Sequence, residues 1–403
     1  MIILYVDEDC SELVIVINSS YYLDRFILNF KVWSRSFDFM ADPSNLLETG
    51  PVGFLRLFLI VYTTITSFIK YLFDSFLPKY VKIHTRTFRL RHILGTGAQS
   101  FVYLAQESNG HLFAIKQMRS DSLETLEDIK AEIASHKACS GCENVMNLED
   151  ATIEHLSTGK EIANLLFPLM TGGSLQDVID ISNSRNILPP FTENALYAIG
   201  LGISKGLLSL HETGRAHRDV CPRNVMLRIS CAPVSSPVPI QSIQVQNVIL
   251  TDLGSCAPIV IHISSRSDAL RLEEEAQVRS SMPYRAPELW SCDPGMDIRG
   301  ELTDVFALGC TLYACAFGYS CFESVKSEDG RLKIADPSHN RVLGSISFPQ
   351  RHTFSNDFCN LILKCIEKEP QKRITVSQAA SEIARLGNYT LSLRTGGRGI
   401  EQV

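Results

Sequence analysis

The chain lacks a surplus of positive charge. Its 38 Lys and Arg stand against 44 Asp and Glu, for a formal net charge of −6. Without a basic field, nucleic acid is not expected as a main partner. The dense cysteine framework of a small secreted domain is missing too, because 12 Cys are scattered through 403 residues. Cys139-Ser-Gly-Cys142 has no second pair to complete a zinc site and reads as reduced thiols at a helix end. Met1–Met40 has neither the basic start nor the small-residue cleavage site of a signal peptide. No Gly follows Met1, so N-myristoylation is not expected. What remains is 45% apolar and 20% charged, ordinary for a soluble globular protein and long enough for one large two-lobed domain or two domains.

Residues 1–87 differ from the rest and read as an N-terminal extension. Within it, Gly50–Leu77 reads as an amphipathic helix. Pro51 suits its first turn and Pro78 stops it. Arg56, Thr63, Ser67, Lys70 and Asp74 fall on one stripe, while Phe54, Phe58, Val61, Ile65, Phe68, Leu72 and Phe76 lie opposite. Leu57–Ile69 is free of charge but shorter than the roughly twenty residues of a spanning helix. The segment therefore fits a helix lying in a membrane surface, with a tilted span whose Arg56 and Lys70 reach the interface, or packing on the rest of the chain or on a partner, as the other readings. From residue 88 short strand patterns run to Met118. A helix pattern follows at Asp121–Cys139, with Leu126, Ile129 and Ile133 on one face. Helix-rich sequence follows Gly172. Ser230–Gln246 reads as a loop between two strands, and 388–403 as a flexible tail.

Several motifs carry chemistry. Gly95-Thr96-Gly97 leads to Ser100 and Val102, and glycine there lets backbone N–H groups approach phosphates. Ala114 and Lys116 follow on a strand pattern. Lys116 suits the α- and β-phosphates of ATP, and Glu132 on the next helix suits an ion pair that aims it. His217-Arg218-Asp219 precedes Arg223-Asn224. The Asp would meet an attacking hydroxyl, and the Asn would hold a magnesium ion. Asp252-Leu253-Gly254, behind the apolar Val248–Leu250, supplies a second hard-oxygen ligand for Mg2+. Phe167 is the candidate gatekeeper, and Pro168 and Met170 would offer a carbonyl and an N–H to adenine. Asp304 would anchor the loop before Asp219, and Arg373 would pair with Glu288 of Ala286-Pro287-Glu288. Each signal is modest alone. Their order and spacing define a protein kinase, an α+β fold with a small antiparallel sheet and one main helix in the first lobe and a larger helical second lobe. The domain is expected over 88–387.

The chain resembles the Numb-associated kinase group, most of all the branch typified by the myristoylated and palmitoylated serine/threonine kinase. The residues that carry this are Leu94–Val102, Asp252-Leu-Gly-Ser255, Ile261-His-Ile, Ala269-Leu-Arg-Leu and Tyr284-Arg-Ala-Pro-Glu288. The resemblance implies a serine/threonine kinase acting on proteins at cytosolic faces of secretory membranes. A peripheral place on endomembranes, Golgi or vacuole, is the expectation. It also implies an extra helix in the activation segment, which Asp268 could cap, with Ala269–Val278 a good helix former.

Cys221 departs from the pattern, for a Lys is usual two residues after the catalytic Asp. Tyrosine kinases carry Arg just before the metal-binding Asn and lack that Lys, and Arg223 sits there, a candidate for the missing cation. Ser281, three residues before Tyr284, stands where serine/threonine kinases place a hydroxyl against the catalytic Asp. Arg218 suggests control by a phosphate on the activation segment, with Ser264, Ser265, Ser267 and Ser280 as candidates and constitutive folding as the alternative. A nucleotide-binding pseudokinase scaffold and a membrane adaptor stay open as other classes.

Overall fold

The computed structural model describes residues 2–6, 12–17, 26–31, 79–97, 100–156, 159–187, 189–228, 243–326, 332–334 and 338–389. The chain divides into two units, Met1–Pro78 and Lys79–Val403. In the first, β1 (Ile2–Val6), β2 (Glu12–Ile17) and β3 (Phe26–Lys31) form an antiparallel sheet in that order. The apolar runs Leu13–Ile17 and Phe26–Phe30 are thus strands. The expected helix at Gly50–Leu77 and the tail from 390 lie outside the described residues. Among the described residues no helix is long and apolar enough to cross a membrane.

The second unit opens on a six-stranded antiparallel sheet. Its strands are β4 (Lys79–Ile83), β5 (Arg86–Thr96), β6 (Ser100–Glu107), β7 (Leu112–Ser120), β8 (Asp150–His155) and β9 (Glu161–Pro168), in the order β4-β5-β6-β7-β9-β8. The sheet thus takes in Lys79–Ile83, which the sequence reading leaves in the extension. Alternation sends Ile83, Phe88, Ala105, Phe113, Ile115 and Leu166 into one apolar cluster. Helix α1 (Leu123–Ala138) starts at Ser122, whose hydroxyl accepts from the Thr125 N–H in a capping box. Leu126, Ile129 and Ile133 are buried, as the pattern requires, and Ile129 and Ile133 pack with Leu165 and Phe167 of β9.

The larger part of the unit is helical. Its first helices are α2 (Leu175–Ser184) and α3 (Glu193–Glu212). Two short strand pairs follow, β10 (Arg215–Ala216) with β13 (Ala257–Pro258), and β11 (Val225–Leu227) with β12 (Val248–Leu250). The expected inserted loop thus falls between β11 and β12, and residues 230–242 of it lie outside the described residues. Beyond β14 (Val260–His262) comes α4 (Arg266–Arg279). It is capped by Ser265 rather than Asp268; Asp268 lies one turn in, where its N–H donates to the Ser265 hydroxyl. After β15 (Asp297–Arg299) come α5 (Gly300–Phe317), α6 (His339–Leu343), α7 (Asn356–Cys365) and α8 (Val376–Leu386). Helix α5 is buried nearly all round, as expected of a helix apolar on every face. Gly309 lets it touch α7, since a Cβ there would sit 2.7 Å from that of Cys365. Phe306 stacks on Phe322 at 5.8 Å, and the Arg373 guanidinium lies over the Phe306 ring, 5.0 Å from its centre.

Candidate active site

Strands β5, β6 and β7 roof a cleft of about 400 Å³. Gly95 pairs with Val102 across the first turn, and the Gly97 N–H donates to the Ser100 carbonyl at 2.8 Å. A Cβ on Gly97 would lie 2.6 Å from the Ser100 hydroxyl, which would have to turn away. Thr96, Val102 and Ala114 line the cleft, as do Phe167, Pro168 and Met170 at its back and edge.

Lys116 lies opposite Val102 on β7. Its Nζ donates to Glu132 Oε1 at 2.8 Å and to Asp252 Oδ1 at 2.9 Å. Burial would push this ammonium down, but the charges of Asp252 and Glu132 outweigh it and hold its pKa above the usual lysine value. Burial raises the Glu132 carboxyl against the pull of Lys116. At Asp252 burial also acts upward, yet Lys116 wins and holds it below the usual carboxylate range. One cation thus links the helix, the sheet and the Asp252-Leu253-Gly254 triplet.

The catalytic loop is hung from Asp304 at the start of α5. Asp304 accepts from the backbone N–H groups of His217 at 2.8 Å and Arg218 at 2.7 Å, and from His211 Nε2 at 2.8 Å. The Asp219 N–H donates to His217 Nδ1 at 3.3 Å, while Nε2 contacts the Thr251 carbonyl at 3.0 Å. That pattern assigns the ring proton to Nε2. Asp219 Oδ1 accepts from the Ser281 N–H at 2.7 Å, and Oδ2 from Asn224 Nδ2 at 2.7 Å. Burial dominates at Asp219 and raises its carboxyl. Asn224 uses its amide nitrogen on Asp219, which leaves the lone pairs of its oxygen for a cation. Arg218 and Asp252 both sit at left-handed backbone angles, φ 66° and 64°, strained for residues with a Cβ.

Cys221 is 2% exposed, and burial, then the Asp219 charge, pushes its thiol up to about 12. The position is therefore neutral. Its sulfur accepts from the Ser281 hydroxyl at 3.6 Å. Ser281 thus reaches Asp219 through its backbone amide. Arg223 is exposed and lines the cleft with Asn224.

Arg218 meets a carboxylate where the sequence suggests a phosphate. Its Nη1 donates to Glu275 Oε1 of α4 at 2.8 Å. Ser280, a candidate phosphate acceptor, donates to the Ala276 carbonyl at 2.6 Å and accepts from Arg285 Nε at 2.8 Å. Arg279 of α4 donates to the Gly254 carbonyl at 3.0 Å and pairs with Asp128 on α1. Glu288 and Arg373 form the expected fork, at 2.7 and 3.1 Å. Leu253 is buried beside Cys139, the residue that ends α1.

The structure brings the nucleotide-site candidates Gly95, Thr96, Gly97, Val102, Ala114, Lys116, Glu132, Pro168 and Met170 to one cleft with Arg223, Asn224 and Asp252, and Asp219 and Ser281 are bonded beside it, while the residues named on Gly50–Leu77 lie outside the described residues. Sequence reasoning missed His136, whose ring lies 5.0 Å from Phe167, and Glu275 and Arg279. His136 follows Glu132 by one helical turn, a signal that was available. Glu275 and Arg279 sit in a charged helix where spacing alone singles out no member.

A kinase fold with this arrangement around its cleft defines a class, and comparison with known proteins agrees. The protein kinase domain profile matches residues 88–383, and the chain belongs to that family. It is a serine/threonine-protein kinase. Similar proteins include serine/threonine-protein kinase 16 of Homo sapiens, 30% identical over 295 residues (73% of this chain, 88% of that protein). Serine/threonine-protein kinase ppk13 of Schizosaccharomyces pombe is 26% identical over 357 residues (79% and 95%). Serine/threonine-protein kinase ENV7 of Saccharomyces cerevisiae is 27% identical over 356 residues (74% and 91%).

Proposed function

We propose that this kinase moves the γ-phosphoryl group of ATP to Ser and Thr hydroxyls of other proteins and of itself. The observation that carries this is Lys116 bonded at once to Glu132 and Asp252, while Asp219 is held by Asn224 and Ser281. Gly95, Thr96, Gly97 and Lys116 position the phosphates, and Val102, Ala114, Pro168 and Met170 enclose adenine. Asp219 orients the hydroxyl. A new O–P bond forms as the bond to the β-phosphate oxygen breaks, ADP leaves, and Asp219 takes the hydroxyl proton. The raised Asp219 carboxyl suits that proton. The Asp252 carboxylate and the Asn224 amide oxygen are a hard donor set that fits Mg2+, completed by phosphates and water. When bound, the ion neutralises phosphate charge. Phosphotransfer from labelled ATP, wild type against Asp219→Asn, tests the reading, and equal signal in both overturns it.

The neutral Cys221 leaves the γ-phosphate without its usual cation. Arg223, exposed at the cleft, supplies the charge in our reading. Losing one charge-assisted hydrogen bond costs about 1.5–3 kcal/mol, or about ten- to a hundredfold in rate. Arg223→Ala should show that loss. An unchanged rate ends the idea.

Branch membership within the Numb-associated group rests on the motifs quoted above and on similarity to serine/threonine-protein kinase 16. With it we propose contact of Gly50–Leu77 with cytosolic faces of endomembranes, Golgi or vacuole, supported by the apolar stripe of that segment. Fractionation with organelle markers tests the location, and a wholly soluble pool overturns it.

A further inference from the structure

The first hairpin of the kinase unit, β4 and β5, is cationic on its outer face. In a chain of net charge −6, residues 79–92 hold five Lys and Arg, two His and no carboxylate. Strand alternation sorts them. Ile83 and Phe88 point into the buried cluster, with Val81 and Leu90 against it. Tyr80 lies opposite Arg89 and Lys82 opposite Thr87, so Tyr80, Lys82, Arg89 and Arg91 share the other face. All four are exposed, Tyr80 to 61%. The nearby carboxylates are engaged elsewhere: Glu107 and Glu149 with Arg86, and Asp150 with His84. Among the described residues Lys82, Arg89 and Arg91 pair with no carboxylate, and Arg91 bonds the neutral Gln106.

Three unneutralised cations beside an exposed tyrosine have the chemistry of a lipid headgroup contact. The cations meet anionic phosphates, and the ring sits at the headgroup level. The hairpin also follows directly in sequence on Gly50–Leu77, a segment with an apolar stripe and only Arg56, Lys70 and Asp74 as charges. An apolar segment and a basic cluster are the two signals that stable surface attachment needs. We propose that the outer face of β4 and β5 is a docking surface for anionic phospholipid, placing the kinase unit itself on the membrane. The proposal rests on the reading of Gly50–Leu77 as a membrane contact and adds charge selectivity to it.

The test is sedimentation of the full chain with vesicles of phosphatidylcholine alone or of phosphatidylcholine and phosphatidylserine at about 7:3. Each cation near an anionic surface contributes about fivefold in partitioning, so losing three lowers it roughly a hundredfold and reversing them to glutamate lowers it further. The variant Lys82→Glu, Arg89→Glu, Arg91→Glu should lose the preference for anionic vesicles and keep wild-type binding to neutral ones. It should also keep wild-type phosphotransfer to a soluble peptide, which shows that it is folded. Unchanged binding to anionic vesicles overturns the proposal, as does binding of wild type to soluble polyglutamate with no preference for anionic vesicles. A second variant, Phe58→Asp with Ile65→Asp, separates the two readings. If it binds neutral vesicles like wild type, the contact through Gly50–Leu77 falls. A charge-dependent difference that survives in this variant keeps the hairpin surface standing by itself.

Discussion

Replacing Glu275 by Ala should slow the kinase without unfolding it. The Arg218 side chain is 3% exposed, and its Nη1 finds the Glu275 carboxylate at 2.8 Å. Among the described residues its Nη2 has no partner. Removing Glu275 leaves a buried guanidinium short of its counter-charge. A fully buried pair broken on one side costs about 3–5 kcal/mol, and an exposed one about 0.2–1 kcal/mol. Glu275 is 38% exposed, so solvent screens part of the loss and about 2 kcal/mol is a fair middle value. That is roughly thirtyfold in the balance between a fastened and a loosened activation segment. The same segment delivers the Ser281 N–H to Asp219, so kcat should fall by up to about thirtyfold, with little change in the KM for ATP. Glu275→Gln keeps an acceptor and should fall between. Glu274→Ala, on an exposed neighbour, is the control. Steady-state phosphotransfer measures all three on phosphatase-treated protein. A Glu275→Ala enzyme as fast as the control refutes the reasoning. So does a wild type that loses its activity on phosphatase treatment, because a phosphate would then be doing the fastening.

Other outcomes follow from single contacts. Arg279→Asp should raise the KM for ATP several-fold, because Arg279 ties α1, which carries Glu132, to the Gly254 carbonyl; Asp128→Arg added to it should restore part of the loss, and no recovery in the double variant would make the contact incidental. Arg373→Ala leaves the buried Glu288 carboxylate unpaired and should cost about 3–5 kcal/mol in denaturant unfolding, while a loss under about 1 kcal/mol contradicts a buried pair. Asp219 has its pKa raised in the folded state, so its charge destabilises the fold above that pKa and the penalty vanishes below the unfolded value. Asp219→Asn should therefore raise the melting temperature at neutral pH and converge with wild type in acid; a constant gap across pH contradicts this.

The site was more legible than its supports. Lys116, Glu132, Asp219, Asn224 and Asp252 are fixed by chemistry that tolerates few residue types, so order and spacing name them before any coordinates. The helix α1 was legible for a different reason, since Leu126, Ile129 and Ile133 repeat at helical spacing. Strand β4 was not. Lys79–Ile83 carries one buried residue, Ile83, and three exposed ones, so no alternation rises above its charges. The start of α4 was misplaced by one turn because Asp268 and Ser265 are both good caps. Capping chemistry ranks such residues nearly equal, and the fold chooses between them. Glu275 and Arg279 belong to a third case. Their partners Arg218 and Asp128 are far off in sequence, and ion pairs across such distances leave no local periodicity.

Cys221 gains a physical setting from these contacts. An unpaired lysine there would stand beside Asp219 and the Ser281 hydroxyl, in a place where the present side chain is 2% exposed. Burying an ammonium without a fixed counter-charge is costly, and in the absence of phosphate Asp219 would be its nearest partner. Such a pair would hold the Asp219 carboxyl down. The thiol does the opposite, because it brings no positive charge and leaves burial free to raise Asp219. In our reading the cation on the phosphate passes to Arg223, and Cys221 leaves a more basic catalytic carboxylate. Cys221→Lys should shift the acid limb of the kcat profile to lower pH while raising its plateau. A higher plateau with an unmoved limb would separate the phosphate effect from the carboxylate effect and leave burial alone to account for Asp219.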